Sequence, residues 1–328
     1  MSAPGAAAPR PANGNPDGDR ARSGAPAAGK AVGDRFSTDE IFQRVVATAD
    51  EEVGSESLRL YLSGLAAGFA ITLTFFVYAT TKAAFPDDTT GLVAPLLYPL
   101  GFVYIIMGRY QLYTENTLTP VTLVLTRVAS VPSLFRVWVA VLAGNLTGAL
   151  VGAFVLANTG VFSPAAAAAA VEIGARGVET PWWDLVFKAV FAGWLVAGLV
   201  WLEHAVRDSI SRVVLIYLII FTIPATGLYH IVVSSADTFY LVFTGNVDLF
   251  VGLWEFAVPV LVGNTIGGVF LVTLLNYGQT ADPFPDGDGK RRRLGRREWL
   301  FSLRISDPES ETPDPTGPER VAATGRGE

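Results

Sequence analysis

The chain has no cysteine at all, which rules out disulfide bridges and thiolate metal sites. It has only two histidines, His204 and His230, so a multi-histidine metal centre is ruled out as well. Charge is scarce: 16% of the 328 residues are Asp, Glu, Lys or Arg, against about a quarter in an ordinary soluble domain. The shortfall is local. Residues 58–276 hold almost no charge inside their apolar runs, while both tails are polar. The net charge of −6 resides largely in the tails and loops and gives no sign of a nucleic-acid partner. The spans lack a nucleophile–base pair, a metal cluster and paired carboxylates. No catalytic residue and no cofactor is therefore expected. The first 35 residues lack an apolar h-region and do not read as a signal peptide.

What is present is apolar sequence in long runs. The chain is 51% hydrophobic with mean hydropathy +0.40. A helical span needs roughly 20 apolar residues. Six segments qualify, at 58–82, 95–126, 133–157, 185–206, 211–243 and 252–276. Backbone polar groups in lipid must be satisfied internally, so spans are helices or a closed barrel. The alternating pattern of barrel strands is missing. The expected fold is an all-α membrane protein with six transmembrane helices. Residues 1–35 read as a disordered cytoplasmic tail and 36–57 as an amphipathic helix. Residues 58–278 read as the channel domain. Residues 279–328 read as a second cytoplasmic tail, basic at 290–297 and otherwise disordered. The basic run suits anionic membrane lipid.

A short signature occurs twice. Gly144-Asn145-Leu146-Thr147-Gly148 reappears as Gly263-Asn264-Thr265-Ile266-Gly267. Ala67-Gly68-Phe69 is echoed by Ala192-Gly193-Trp194, and Leu112-Tyr113 by Leu228-Tyr229, in the same order. Two copies of a three-helix unit follow. Such repeats build solute pathways with the site at the repeat interface. Basic residues set the orientation. The run at 290–297, with Arg127, Arg136, Arg207 and Arg212, places both termini in the cytoplasm of a plasma (inner) membrane. An odd number of crossings then makes the repeat inverted.

The second and fifth segments are too long and too interrupted for one straight helix. The second carries Arg109 to Pro120, with Glu115 and Asn116 inside it. The fifth carries Pro224-Ala225-Thr226-Gly227-Leu228-Tyr229-His230, then Ser234, Ser235 and Asp237. Proline removes a donor and glycine weakens a helix. Broken backbone at membrane depth is tolerated where it is buried or lines a cavity. An exposed loop at 109–120 is the other reading, and it breaks the parity of the crossings. The long connection 158–184, with its alanine run, reads as an outer loop ending in a Trp182-Trp183 belt.

These residues resemble the formate/nitrite transporter family. Leu112-Tyr113-Thr114 resembles the Leu-Phe-Thr loop of its second helix. His230 after a Gly-aromatic element resembles the histidine of its fifth, and the paired Gly-Asn-x-x-Gly its third and sixth. The resemblance covers about residues 38–278. It implies an aquaporin-like protomer in a homopentamer, each protomer with its own pore for small monovalent anions. It assigns His230 and Thr114 to the pore centre. It assigns Tyr98, Phe102, Leu112, Tyr113, Val196 and Ile223 to constrictions. The sequence departs from the family at Tyr229, where an acid is expected, at Ser234, where Asn is, and at Gly193. It is similar to a divergent branch.

The expected function is a channel or transporter for formate, nitrite or a similar weak-acid anion. A bare anion in a low-dielectric pore faces a large desolvation cost. Histidine can pair with the anion or protonate it near neutral pH, and apolar rings exclude water and cations. Asn145, Asn264, Glu115 and Ser234 are read as pore supports, Glu115 also as a coupling group in the loop or, equally, a buried ion-pair partner of Arg109. Lys188 is read as snorkelling or drawing anions, Asp237 as a helix cap, Thr147 as packing, and His204 as a solvated loop residue. Two alternatives stay open: an aquaporin-like channel for a small neutral solute, and a non-conducting scaffold or regulator.

Overall fold

The computed structural model describes residues 35–281 and 293–306. The tail readings for 1–34, 282–292 and 307–328 lie outside the described residues. Among the described residues the chain is helical and forms no β-strand beyond a single bridge between Ala129 and Ile305.

Helix α1 (Thr38–Gly54) opens on a capping box: Glu40 N–H donates to Ser37 Oγ (3.3 Å), and Ser37 N–H donates to Glu40 Oε2 (2.7 Å). It buries Ile41, Phe42, Val45, Val46, Ala49 and Val53 along one face. The next helices are α2 (Ser57–Ala84), α3 (Leu100–Gly108) and α4 (Thr119–Leu125). A 3-10 turn, Ala94–Leu97, leads into α3. Helix α5 (Val131–Asn158) is capped by Ser130, whose side chain accepts from Ser133 N–H. Then come α6 (Pro164–Glu179), α7 (Trp182–Ala205), α8 (Ser209–Ala225) and α9 (Ile231–Phe243). Helix α10 runs Leu249–Gln279 with two π-helical stretches, Gly252–Ala257 and Gly267–Leu274. Helix α11 (Arg296–Phe301) is short. Four of these, α2, α5, α7 and α10, are long and apolar enough to cross a membrane.

The connection 158–184 is not the plain loop expected. Ser163 caps its helix and Pro164 starts it. The run of alanines that follows is the strongest helix-forming composition available. Its small face, including Ala166, Ala170 and Gly174, is buried. Lys82 to Glu172 (3.0 Å) ties α6 to α2.

Two pairs of long helices pack at backbone contact. A methyl group at Gly68 of α2 would strike the Asn145 carbonyl of α5, and one at Gly193 of α7 would strike the Asn264 carbonyl of α10. Lipid-soluble helices associate through such close packing rather than through hydrophobic burial.

Residues 293–306 dock under the α4–α5 connection. Leu294 N–H donates to Arg127 O (2.8 Å), Ser306 N–H to Val128 O (2.9 Å) and Ser130 N–H to Arg304 O (3.1 Å). Trp299 Nε1 donates to Val124 O at the end of α4 (2.9 Å).

Candidate functional site

Helices α3 and α8 end in the same way. After α3, Arg109 takes a left-handed conformation (φ 56), with Arg109 N–H donating to Ile106 O and Tyr110 N–H to Ile105 O. After α8, Gly227 does the same (φ 68), with Gly227 N–H donating to Pro224 O and Leu228 N–H to Ile223 O. Each is a Schellman stop.

The chain past each stop is held by one asparagine. Asn145 of α5 accepts from Tyr113 N–H (2.9 Å) and donates to Gln111 O (2.9 Å) and Gly64 O (2.8 Å). Asn264 of α10 accepts from Ile231 N–H (2.8 Å) and donates to Tyr229 O (3.0 Å) and Ala189 O (2.8 Å). Both asparagines are fully buried. Each satisfies backbone groups that have no water to turn to. This bonding register corrects the sequence pairing of Leu112-Tyr113 with Leu228-Tyr229. Leu112 corresponds to His230, and Tyr113 to Ile231.

His230 stands at the N-cap of α9 but does not cap it. Asn264 holds the first N–H of the helix, that of Ile231, and the imidazole turns to Thr114. Its Nε2 lies 2.8 Å from Thr114 Oγ1, and its Nδ1 has no hydrogen-bond partner. Both side chains are buried. Phe102 meets the imidazole edge to face (centroids 4.9 Å), and Tyr98 stacks on Phe102 (6.0 Å). Leu112, Val196 and Ile223 are fully buried in the same apolar cluster. Tyr113 points elsewhere, its hydroxyl 2.8 Å from Thr265 Oγ1 and its ring against Trp138. Ser234 is buried on the His230 face of α9.

Several charged residues sit where the sequence did not put them. Arg109 pairs with Glu51 of α1 (3.7 Å), not with Glu115. The left-handed turn at Arg109 aims its side chain outward, and Glu115 Oε1 is left buried without a partner. His204 is no solvated loop residue: it ends α7, with Nδ1 2.7 Å from Val200 O and Nε2 2.9 Å from Thr48 Oγ1. Asp237 does not cap α9. It lies mid-helix, 5% exposed, because α9 already starts at Ile231. Lys188 Nζ lies over the Tyr229 ring (5.7 Å).

A vestibule of about 740 Å3 opens below the first break. Arg44, Glu51 and Glu52 of α1 line it, with Arg109, Glu115 and Glu203. Glu52 had not been singled out from the sequence. Its carboxylate accepts from Thr119 Oγ1 at the start of α4. Burial pushes the Glu52 carboxyl up to about 7, against hydrogen bonds from Thr119, Gln111 and Asn116 that pull it down. Among the described residues no group of three His, Cys, Asp or Glu side chains could hold a metal ion.

Fold and site together define a membrane-embedded protein built around two buried, asparagine-braced chain interruptions. Residues 39–278 match the profile described as "Formate/nitrite transporter". The chain belongs to the formate/nitrite transporter family, whose members are channels and transporters rather than enzymes. It is 30% identical over 265 residues to the inner membrane protein YfdC of Escherichia coli, covering 79% of this chain and 83% of that one. It is 24% identical to the formate channel FocA of Haemophilus influenzae, covering 69% and 88%. A solved pentameric formate channel with formate bound superposes with TM-score 0.60 at 19% identity, over 67% of this chain and 96% of that one. A solved FNT family ion channel superposes with TM-score 0.67 at 18% identity, over 73% and 98%. These likenesses show the fold.

Proposed function

We propose that the chain carries a small monovalent weak-acid anion, formate or nitrite or one of similar size, across the plasma (inner) membrane. The pathway runs between two inverted three-helix repeats: α2, α3 with α4, and α5; then α7, α8 with α9, and α10. The half-helices pair end to end as broken second and fifth spans, giving six crossings. Both termini and the vestibule face the cytoplasm, and α6 lies on the outer side. Five protomers assemble, each with its own pore. Membrane lipid covers the remaining apolar surface, of which Phe187 (64% exposed) and Trp183 (67%) are part.

The observation that carries this reading is the His230–Thr114 pair between the two braced interruptions. An ionisable side chain at membrane depth marks a path by default, because its burial costs stability that packing does not return. Tyr98, Phe102, Leu112, Val196 and Ile223 supply apolar rings that a hydrated cation cannot cross. Tyr113, Asn145, Asn264, Glu115 and Ser234 hold the walls. The formate channels among the relatives and the solved structures support the substrate class.

The test is anion flux into proteoliposomes at pH 5 to 8, comparing formate, nitrite, acetate, chloride and hydrosulfide. Flux of a weak-acid anion that depends on pH, and that His230→Ala abolishes or makes insensitive to pH, is the expected result. Well-folded wild type that moves none of them sinks the assignment and favours a neutral solute or a non-conducting role.

A further inference from the structure

The braces set a displacement between the repeats that takes Tyr113 to Ile231. The same displacement takes Thr119 to Asp237. Thr119 is the residue that holds the Glu52 carboxylate. A buried carboxyl therefore stands at the matching place in each half, and on the vestibule side Glu115, Glu203, Glu51, Arg44, Arg109 and Arg212 line the same cavity as Glu52. On the vestibule side the matching carboxyl is delivered by α1, and on the α6 side it is built into α9.

Asp237 shares a helix face with His230 and Ser234, which stand at positions i, i+4 and i+7. At 1.5 Å per residue, Asp237 lies about 10 Å beyond the histidine along the helix axis. Its Oδ1 is buried and has no hydrogen-bond partner. The hydroxyls of Tyr78, Tyr98 and Tyr229 lie within electrostatic reach of it. Other groups facing this region are Glu172 of α6, which pairs with both Arg176 (2.5 Å) and Lys82 of α2 (3.0 Å), and Lys188 of α7, which lies over Tyr229. The charged residue of α5, Arg136, binds Ser55 O at the other end, and Glu255 of α10 is exposed. No described cation is paired with Asp237. An ionised carboxylate here would repel the anion that the pathway is proposed to carry. A neutral carboxyl would instead offer the anion a proton.

We propose that Asp237 is the proton donor and selectivity residue of the α6-side half, and that Glu52 is its acceptor on the vestibule side. This inference rests on the weak-acid reading above. A carboxylate or nitrite oxygen arriving beside Tyr98 takes the Asp237 proton. The Asp237 O–H bond breaks, an O–H bond forms on the permeant, and water on the α6 side restores the proton. The neutral acid crosses the Phe102 and Leu112 region without a net charge to desolvate. At the vestibule it returns the proton to the Glu52 carboxylate, which hands it to water. An anion too weakly basic to accept a proton, such as chloride or nitrate, is turned back.

The decisive comparison is proteoliposome uptake of formate against chloride and nitrate, with luminal pH read by a trapped dye. Wild type, Asp237→Asn, Asp237→Glu and Glu52→Gln are compared. Asp237→Asn is close to isosteric, and gel filtration checks its folding. Wild type should acidify the lumen as formate enters and exclude chloride and nitrate. Asp237→Asn should lose more than about tenfold of formate flux at neutral outside pH and lose its dependence on outside pH. Asp237→Glu should restore both, and Glu52→Gln should remove dependence on the vestibule-side pH. Wild-type flux and pH profile in Asp237→Asn would overturn the proposal. If wild type carries no anion, the substrate reading fails on its own. Infrared difference spectra then decide on Asp237: a carboxyl band missing from Asp237→Asn must respond to outside pH, and a band that does not respond overturns the assignment.

Discussion

At the scale of single residues, the asparagines explain how the chain between α3 and α4, and between α8 and α9, keeps its backbone groups paired. One amide side chain meets one N–H and two carbonyl groups in each repeat. Asn145→Ala leaves all three unpaired. Hydrogen bonds between membrane helices average about 0.6 kcal/mol each, so the expected loss is roughly 2 kcal/mol, read as a lower melting temperature in detergent. Asn264→Ala should cost a similar amount. Asn145→Asp keeps an acceptor and loses both donors, so it should be no better than alanine. An unchanged melting temperature in either alanine variant would remove the brace from the account. The Gly-Asn signature was legible in the sequence, because only a buried polar side chain between glycines makes sense in an apolar helix. The orientation of Asp237 was not. Its meaning depends on where α9 begins, and Asn264, a remote residue, sets that point.

At the scale of elements, the four long apolar helices were legible because apolar runs are a local property. Helix contacts were not, and α6 was missed because an alanine run carries no amphipathic signal. The closeness of α7 to α10 gives a sharp contrast on one helix. Gly193 meets the Asn264 backbone, whereas nothing lies within 4 Å of Gly198. Gly193→Ala should cost 1–3 kcal/mol or more, the usual scale of overpacking, while Gly198→Ala should be neutral or slightly stabilising, about 0.5–1 kcal/mol from helix propensity. Thermal melts of the two variants separate them, and equal melts would contradict the packing. Docking of α1 has its own pH signature. Glu52 holds its proton more tightly when docked, with the carboxyl raised from 4.5 to about 7. The contribution is fully present below about 4.5 and drains away as pH rises through about 7. Amide exchange in α1, corrected for intrinsic rate, should be slower at pH 5 than at pH 8. Glu52→Gln should flatten the difference, and protection equal at both pH values in wild type would refute the linkage.

At the scale of the whole molecule, residues 293–306 clamp the far end of α4 through Trp299, Leu294 and Ser306. The sequence marked this stretch only by its basic residues, since nothing local says that a tail returns to pair with Ala129. Trp299→Ala removes the bond to Val124 O and the ring that packs beside it. Exchange of the Val128 and Ser130 region should speed up while α7 and α10 stay unchanged. No change there would mean that the clamp does not hold α4. The four long helices followed from composition alone, and the family from motif order.

The left-handed stops have a further consequence. Helix α4 ends at Arg127 (φ 60) with Val128 N–H on Leu123 O, and α9 ends at Gly245 (φ 73) with Asn246 N–H on Leu241 O. The left-handed stops after α3 and α4 are thus arginines, Arg109 and Arg127, where those after α8 and α9 are glycines, Gly227 and Gly245. Glycine is the cheaper occupant, since other residues there cost on the order of 1 kcal/mol or more. At Arg127, on the proposed cytoplasmic side, the chain accepts conformational strain where a positive charge helps set the orientation. Changing both arginines to glycine would give a protein more stable once folded but less certain of which way to insert.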